Sequence, residues 1–133
     1  VDDPEIAEII RKKVCRMVEE ASSPAAGARV AELDTASFGA AIAGSLPVIV
    51  DFWAEWCGPC RSMHPIVEAA ASELAGRVRF ARINVDTCVP IAQRCGIQSI
   101  PTFVAFAQGR EAARAVGTIG AAGLRALAAR VAP

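Results

Sequence analysis

The sequence lacks an excess of charge of either sign: fourteen basic and fourteen acidic side chains cancel to a formal net charge of zero. Phosphate binding needs a concentrated surplus of Lys and Arg, so nucleic acid is not expected as the main partner. It also lacks a long apolar run. The stretch Phe38–Val50 is broken by Gly39, Gly44, Ser45 and Pro47, and it falls short of the roughly 20 apolar residues a membrane-spanning helix needs. The 53% hydrophobic share is swollen by alanine, so no membrane partner is expected. No Gly-rich dinucleotide fingerprint occurs, and hence no bound nucleotide cofactor is expected.

The opening residues Val1, Asp2, Asp3, Pro4 and Glu5 are acidic rather than a basic region followed by an apolar core, so no secretory leader is expected. Five cysteines make an odd, unevenly spaced set, unlike a disulfide-stapled secreted scaffold. Reactive cysteines in a cytoplasmic chain are expected instead. The chain's 133 residues allow one domain, with or without an appendage, because a core rarely splits below about 200 residues.

Residues 1–28 are expected to form such an appendage. Asp3 suits an N-cap and Pro4 a first helical position, and Ile6, Ile10, Val14 and Met17 share one face of a helix over 3–21. Ser22–Ala28 reads as a linker. From residue 29 to 133 the periodicity alternates. Strands are expected at Arg29–Leu33, Leu46–Ala54, Arg77–Asp86, Thr102–Ala107 and Arg110–Val116. Helices are expected from Asp34 or Thr35 to Gly44, from Gly58 to Ala75 with a kink at Pro65, over Thr87–Cys95, and over Gly120–Val131. Gln108 and Gly109 join the last two strands as a hairpin. The order βαβαβαββα predicts an α/β fold, with three parallel crossovers followed by an antiparallel hairpin in a five-stranded mixed sheet covered by helices on both faces.

The chemistry concentrates at Trp56-Cys57-Gly58-Pro59-Cys60, between a buried strand and a helix. A thiolate at a helix N-terminus faces unpaired N–H groups and the positive end of the dipole, so Cys57 is expected to ionise more readily than a free thiol, with its pKa below about 8.5. Two intervening residues let both sulfurs meet across one turn, the first exposed and the second beneath it. Cys57 is then the nucleophile towards a substrate disulfide and Cys60 the resolving thiol. Half of a zinc site is the alternative for a CxxC, with His64 one turn beyond Cys60, but the fourth ligand would have to come from Cys15, Cys88 or Cys95. No metal is expected. His64, the one histidine of the chain, is expected to be an exposed helix residue.

The run from Val50 to Cys60, VDFWAEWCGPC, closely resembles the active-site signature of the thioredoxin family. The resemblance continues through Pro65, Asn84-Val85-Asp86, Ile100-Pro101-Thr102, Gly109 and Val116-Gly117, and covers roughly residues 29–132. It implies a thioredoxin fold and a general dithiol–disulfide oxidoreductase with no cofactor beyond a redox-active Cys57–Cys60 disulfide. The implied partners are a thioredoxin reductase of unspecified type and disulfide-containing target proteins. It further implies a cis peptide before Pro101, and a substrate groove formed by Trp56, Gly58, Pro59, Ser99, Ile100, Pro101, Val116 and Gly117, with Thr118 at its edge.

Asp51 is a carboxylate inside a strand that otherwise reads as core. Either a local hydrogen bond or salt bridge satisfies it, or burial raises its pKa and it serves, as the resemblance implies, as a proton acceptor for Cys60 through water. Thioredoxins commonly carry a lysine near this aspartate; Arg82 stands at the matching position and would hold Asp51 ionised or point away. Trp53 is expected in the core and Trp56 in the groove.

Cys88 and Cys95 lie seven positions apart, about 10.5 Å along a helix, too far to pair without unwinding it. They read as small buried residues, or as a regulatory pair under strong oxidant, like cysteines of animal thioredoxins. Cys15 falls on the polar side of the added helix. Two other functions remain open on the residues alone: a non-redox docking module on the same fold, and a disulfide-forming oxidant of an exported compartment, which the Gly58-Pro59 pair disfavours.

Overall fold

The apolar run ending in Asp51, Phe52 and Trp53 is the middle strand of a five-stranded sheet. The computed structural model describes residues 30–132, so the helix expected over 3–21, the linker and Cys15 lie outside the described residues. The elements are β1 (Val30–Leu33), α1 (Thr35–Ile42), β2 (Val48–Trp53), α2 (Gly58–Glu73), β3 (Arg79–Asn84), α3 (Val89–Arg94), β4 (Thr102–Ala107), β5 (Arg110–Val116) and α4 (Gly120–Val131).

The strands lie in the order β1-β3-β2-β4-β5. β1 and β2 both run parallel to β3, whereas β4 runs antiparallel to β2 and β5 antiparallel to β4. Two crossovers therefore join parallel strands, not three. The third connection does not carry the chain back to the far end of the sheet, because α3 has only six residues. At about 1.5 Å per residue it rises roughly 9 Å, half the roughly 20 Å spanned by a six-residue strand. The chain therefore re-enters the sheet at the end where it left.

β2 is buried on both faces, and its alternation sorts the core into two layers. Val48, Val50 and Phe52 pack with Phe38 and Ile42 of α1 and Ile91 of α3. Ile49 packs on the other side with Met63 and Val67 of α2 and Leu124 and Leu127 of α4. Each such fully buried side chain contributes about 1.5–3 kcal/mol relative to an exposed one. α2 continues through Pro65 as one helix. Asp34 caps α1: its side chain accepts the Ser37 N–H at 2.8 Å while Ser37 Oγ accepts the Asp34 N–H at 2.9 Å.

The hairpin at Gln108 and Gly109 has φ of 54° and 82° at its two central residues, the signature of a type I′ turn whose twist suits the flanking strands. Arg79 closes the α1–β2 loop by donating from Nη2 to the carbonyls of Ala41 at 2.7 Å and Leu46 at 2.9 Å. A Cβ on Gly44 would lie 2.9 Å from that nitrogen, so a larger residue there would have to shift the guanidinium that bridges the two carbonyls.

Candidate active site

The C-terminal ends of β2 and β3, the start of β4 and the end of β5 meet at one rim of the sheet. β2 delivers Ala54 there, and the chain turns through Glu55 and Trp56 into α2. Cys57 is the N-cap of α2, with extended backbone, and its Sγ accepts the Cys60 N–H at 3.2 Å. The sulfur thus takes up one of the amides that a helix start leaves without a partner. Cys57 and Cys60 are joined in a disulfide, with Cα atoms 5.3 Å apart. Cys60 is fully buried, and Cys57 keeps only 5% exposure, less than expected of an open nucleophile. The cause is packing: Trp53, Val85 and Ile100 close around the pair.

Trp56 is 69% exposed, and its Nε1 donates to Asp86 Oδ2 at 2.8 Å. Asp86 is held in turn by its own N–H donating to Asn84 Oδ1 at 2.8 Å. Gly58 and Pro59 are exposed, and the Ile100–Pro101 bond is cis. Pro101 is buried, and its carbonyl accepts the Gly117 N–H at 2.8 Å, tying the start of β4 to the residue after β5. Trp56, Ser99 and Ile100 line a shallow groove beside the disulfide. Val85, Ala92, Ile97 and Gln98 complete it, and sequence reasoning had assigned none of these to it. Gly58, Pro59, Pro101, Val116 and Gly117 do not line that groove, although Val116 is an exposed apolar side chain.

Behind the disulfide a row of charge crosses the sheet. The register places Glu32 of β1 beside Arg82 of β3, and Arg82 beside Asp51 of β2. Asp51 is 1% exposed, and among the described residues neither carboxylate oxygen has a hydrogen-bond partner. Burial pushes its pKa up to about 7, against the Arg82 guanidinium and with help from Glu32. Arg82 has turned its Nη2 towards Glu68 Oε2, 3.4 Å away, so it moderates the effect of burial without cancelling it.

His64 is the residue the sequence misplaced. It is half-buried rather than exposed, with Nε2 lying 3.9 Å from Asp51 Oδ2. Its ring stands edge-on to Trp53, centroids 4.8 Å apart at 77°. The spacing from Cys60 is the explanation: residues four apart share a helix face, and that face of α2 looks down on β2. Trp53 is half-buried and Trp56 open, the order expected of them.

Cys88 and Cys95 are free thiols that flank α3 as its N-cap and C-cap rather than sharing a face within it. Among the described residues no group of three or more His, Cys, Asp or Glu is placed to hold a metal ion. Nor is any described helix long and apolar enough to cross a membrane.

A family model described as Thioredoxin matches residues 29–130. The chain belongs to the thioredoxin family. It is similar to a thioredoxin of Alicyclobacillus acidocaldarius, 46% identical over 85 residues, covering 64% of this chain and 81% of that one. It is also similar to chloroplastic thioredoxin M4 of Arabidopsis thaliana, 45% identical over 74 residues, covering 56% of this chain and 38% of that longer one. Among solved structures, a mutant thioredoxin from Halobacterium salinarum superposes with a TM-score of 0.75 at 27% identity, covering 80% of this chain and 94% of that one. The sheet and its flanking helices are the thioredoxin fold. Thioredoxins are disulfide oxidoreductases that work through a redox-active disulfide without a cofactor, and Cys57–Cys60 is that disulfide in this domain.

Proposed function

We propose that residues 29–133 form a general protein-disulfide reductase in which Cys57 attacks and Cys60 resolves. One observation carries the assignment: the Cys60 N–H points at Cys57 Sγ at 3.2 Å, and only Cys57 of the pair keeps any exposure. In the dithiol form this amide and the positive end of α2 favour a thiolate on Cys57. That thiolate attacks one sulfur of a target disulfide, forming a mixed disulfide and expelling the other sulfur as a thiolate. Cys60 then loses its proton to Asp51, directly or through one water, and attacks Cys57 Sγ. The Cys57–Cys60 bond forms, and the second target sulfur leaves as a thiolate. Two electrons have passed from the dithiol to the target.

A target's extended chain is held at the disulfide by Trp56, Gly58, Pro59, Ser99, Ile100, Pro101, Val116 and Gly117. The apolar groove beside Ile100 and the exposed face of Trp56 support this reading. A thioredoxin reductase docking on the same apolar rim would regenerate the dithiol. The free thiols of Cys88 and Cys95 suit a reducing compartment such as the cytoplasm.

Insulin reduction driven by dithiothreitol tests the assignment. Cys57→Ser abolishes turnover, and Cys60→Ser, reduced and then freed of reductant before mixing with insulin, accumulates a covalent adduct that added dithiothreitol releases. Equal aggregation rates with the parent and with Cys57→Ser would overturn it.

A further inference from the structure

Asp51 is the one buried carboxylate among the described residues, and it is sealed from solvent by the side chains above it. Near neutral pH a share of the molecules already carries the Asp51 proton, which must leave before the carboxylate can take one from Cys60, and the imidazole of His64 occupies the way out. Nε2 faces Asp51 Oδ2 at 3.9 Å, and like both carboxylate oxygens it is buried without a hydrogen-bond partner among the described residues. The ring itself is 22% exposed, and with Trp53, Glu55 and Arg61 it lines a depression open to the surface. One side chain thus spans from an enclosed acid to water.

We propose that His64 is a proton relay between Asp51 and solvent, a residue that never touches the reacting sulfurs and acts through the carboxylate. The inference rests on the reading of Asp51 as proton acceptor for Cys60. The gap of 3.9 Å exceeds a hydrogen bond by about 1 Å, and a small rotation of the imidazole closes it. Protonated Asp51 then gives its proton to Nε2, the imidazolium releases the Nδ1 proton to water, and rotation of the ring brings the Nε2 proton to solvent for the exchange that restores the starting tautomer. The net movement is one proton from Asp51 to solvent, with no electron transferred.

The charged neighbours suit this task. From β3 Arg82, from β1 Glu32, and from α2 itself Glu68 and Arg61 surround the pair, while β4 contributes the apolar Phe103 opposite Asp51. Burial, with Arg82 and Arg61 assisting and Glu68 opposing, lowers the His64 pKa and keeps the ring neutral and ready to accept. A neutral imidazole of lowered basicity takes the proton only transiently and so passes it on readily.

The test separates the two thiol-releasing steps by reacting the reduced protein with a stoichiometric aromatic disulfide. The first chromogenic thiol reports Cys57 attack, and the second reports resolution by Cys60. His64→Gln, which keeps a polar side chain but cannot be protonated, is expected to slow the second release about tenfold near neutral pH and leave the first unchanged. Added imidazole is expected to restore the second release in His64→Ala and to leave the parent unaffected. In an Asp51→Asn background His64→Gln is expected to slow nothing further. A normal second release in His64→Gln overturns the relay, as does a slowing that imidazole does not rescue and that persists beside Asp51→Asn. A normal second release in Asp51→Asn alone overturns the Asp51 reading, and the relay with it.

Discussion

Trp56 and Asp86, thirty positions apart in sequence, are joined by a 2.8 Å hydrogen bond from the indole Nε1–H to the carboxylate. This bond gives a large exposed side chain a fixed orientation at the edge of the groove. A free indole would have to lose rotamer freedom each time a target docked.

Asp86→Ala is therefore expected to weaken protein substrates selectively. An exposed bond of this kind is worth roughly 0.5–1 kcal/mol, or a two- to fivefold rise in KM. Turnover of a small disulfide that does not reach Trp56 should be unchanged. Steady-state kinetics with insulin and with a small aromatic disulfide, together with tryptophan emission, check this. Equal losses on both substrates would place the effect in the chemistry instead.

Asp51 makes stability depend on pH in a defined window. Its pKa is 3.8 in an ordinary setting and about 7 in the folded protein. Between those values the native state holds more protons than the unfolded one, so stability falls as pH rises. The contribution is fully present below about pH 4 and is lost above about pH 7, a difference on the order of 4 kcal/mol. Asp51→Asn is expected to be more stable than the parent by that order at pH 8 and to match it near pH 4. Urea unfolding of the oxidised proteins across this range is the measurement, and an unchanged slope in the variant would refute the account.

Gln108 adopts a left-handed backbone, φ 54°, that asparagine tolerates better than glutamine. Gln108→Asn converts the tip to Asn-Gly, the pair a type I′ turn prefers, and is expected to stabilise the domain by about 0.5 kcal/mol. Because both side chains are polar and the site is exposed, thermal unfolding should rise with no change in turnover. A loss of stability would show that the glutamine amide makes a contribution of its own.

The fold was legible where a single physical cause acts. β2 announces itself because a strand buried on both faces must be apolar throughout, and Asp51 stands out against that run for the same reason. The direction of β4 was not legible, because the pattern of apolar residues records that α3 is a helix but not that it is too short to carry the chain back. His64 was hidden differently. A lone histidine carries no periodic signal, and only its spacing from Cys60, four positions along α2, tied it to the face above Asp51. Val85, Ala92 and Ile97 escaped notice as groove residues because single apolar side chains after a strand or beside a short helix look like ordinary core.

The antiparallel return of β4 divides the molecule into two unlike rims. Val48, Arg79 and Phe106 are paired at one, next to the connections 43–47, 74–78 and 108–109, and β1 also begins there at Val30. The disulfide and everything that surrounds it occupy the other. An affinity handle, a grafted peptide or a covalent tether to an electrode fits at Gln108 and Gly109, where immobilisation would leave the opposite rim facing solution.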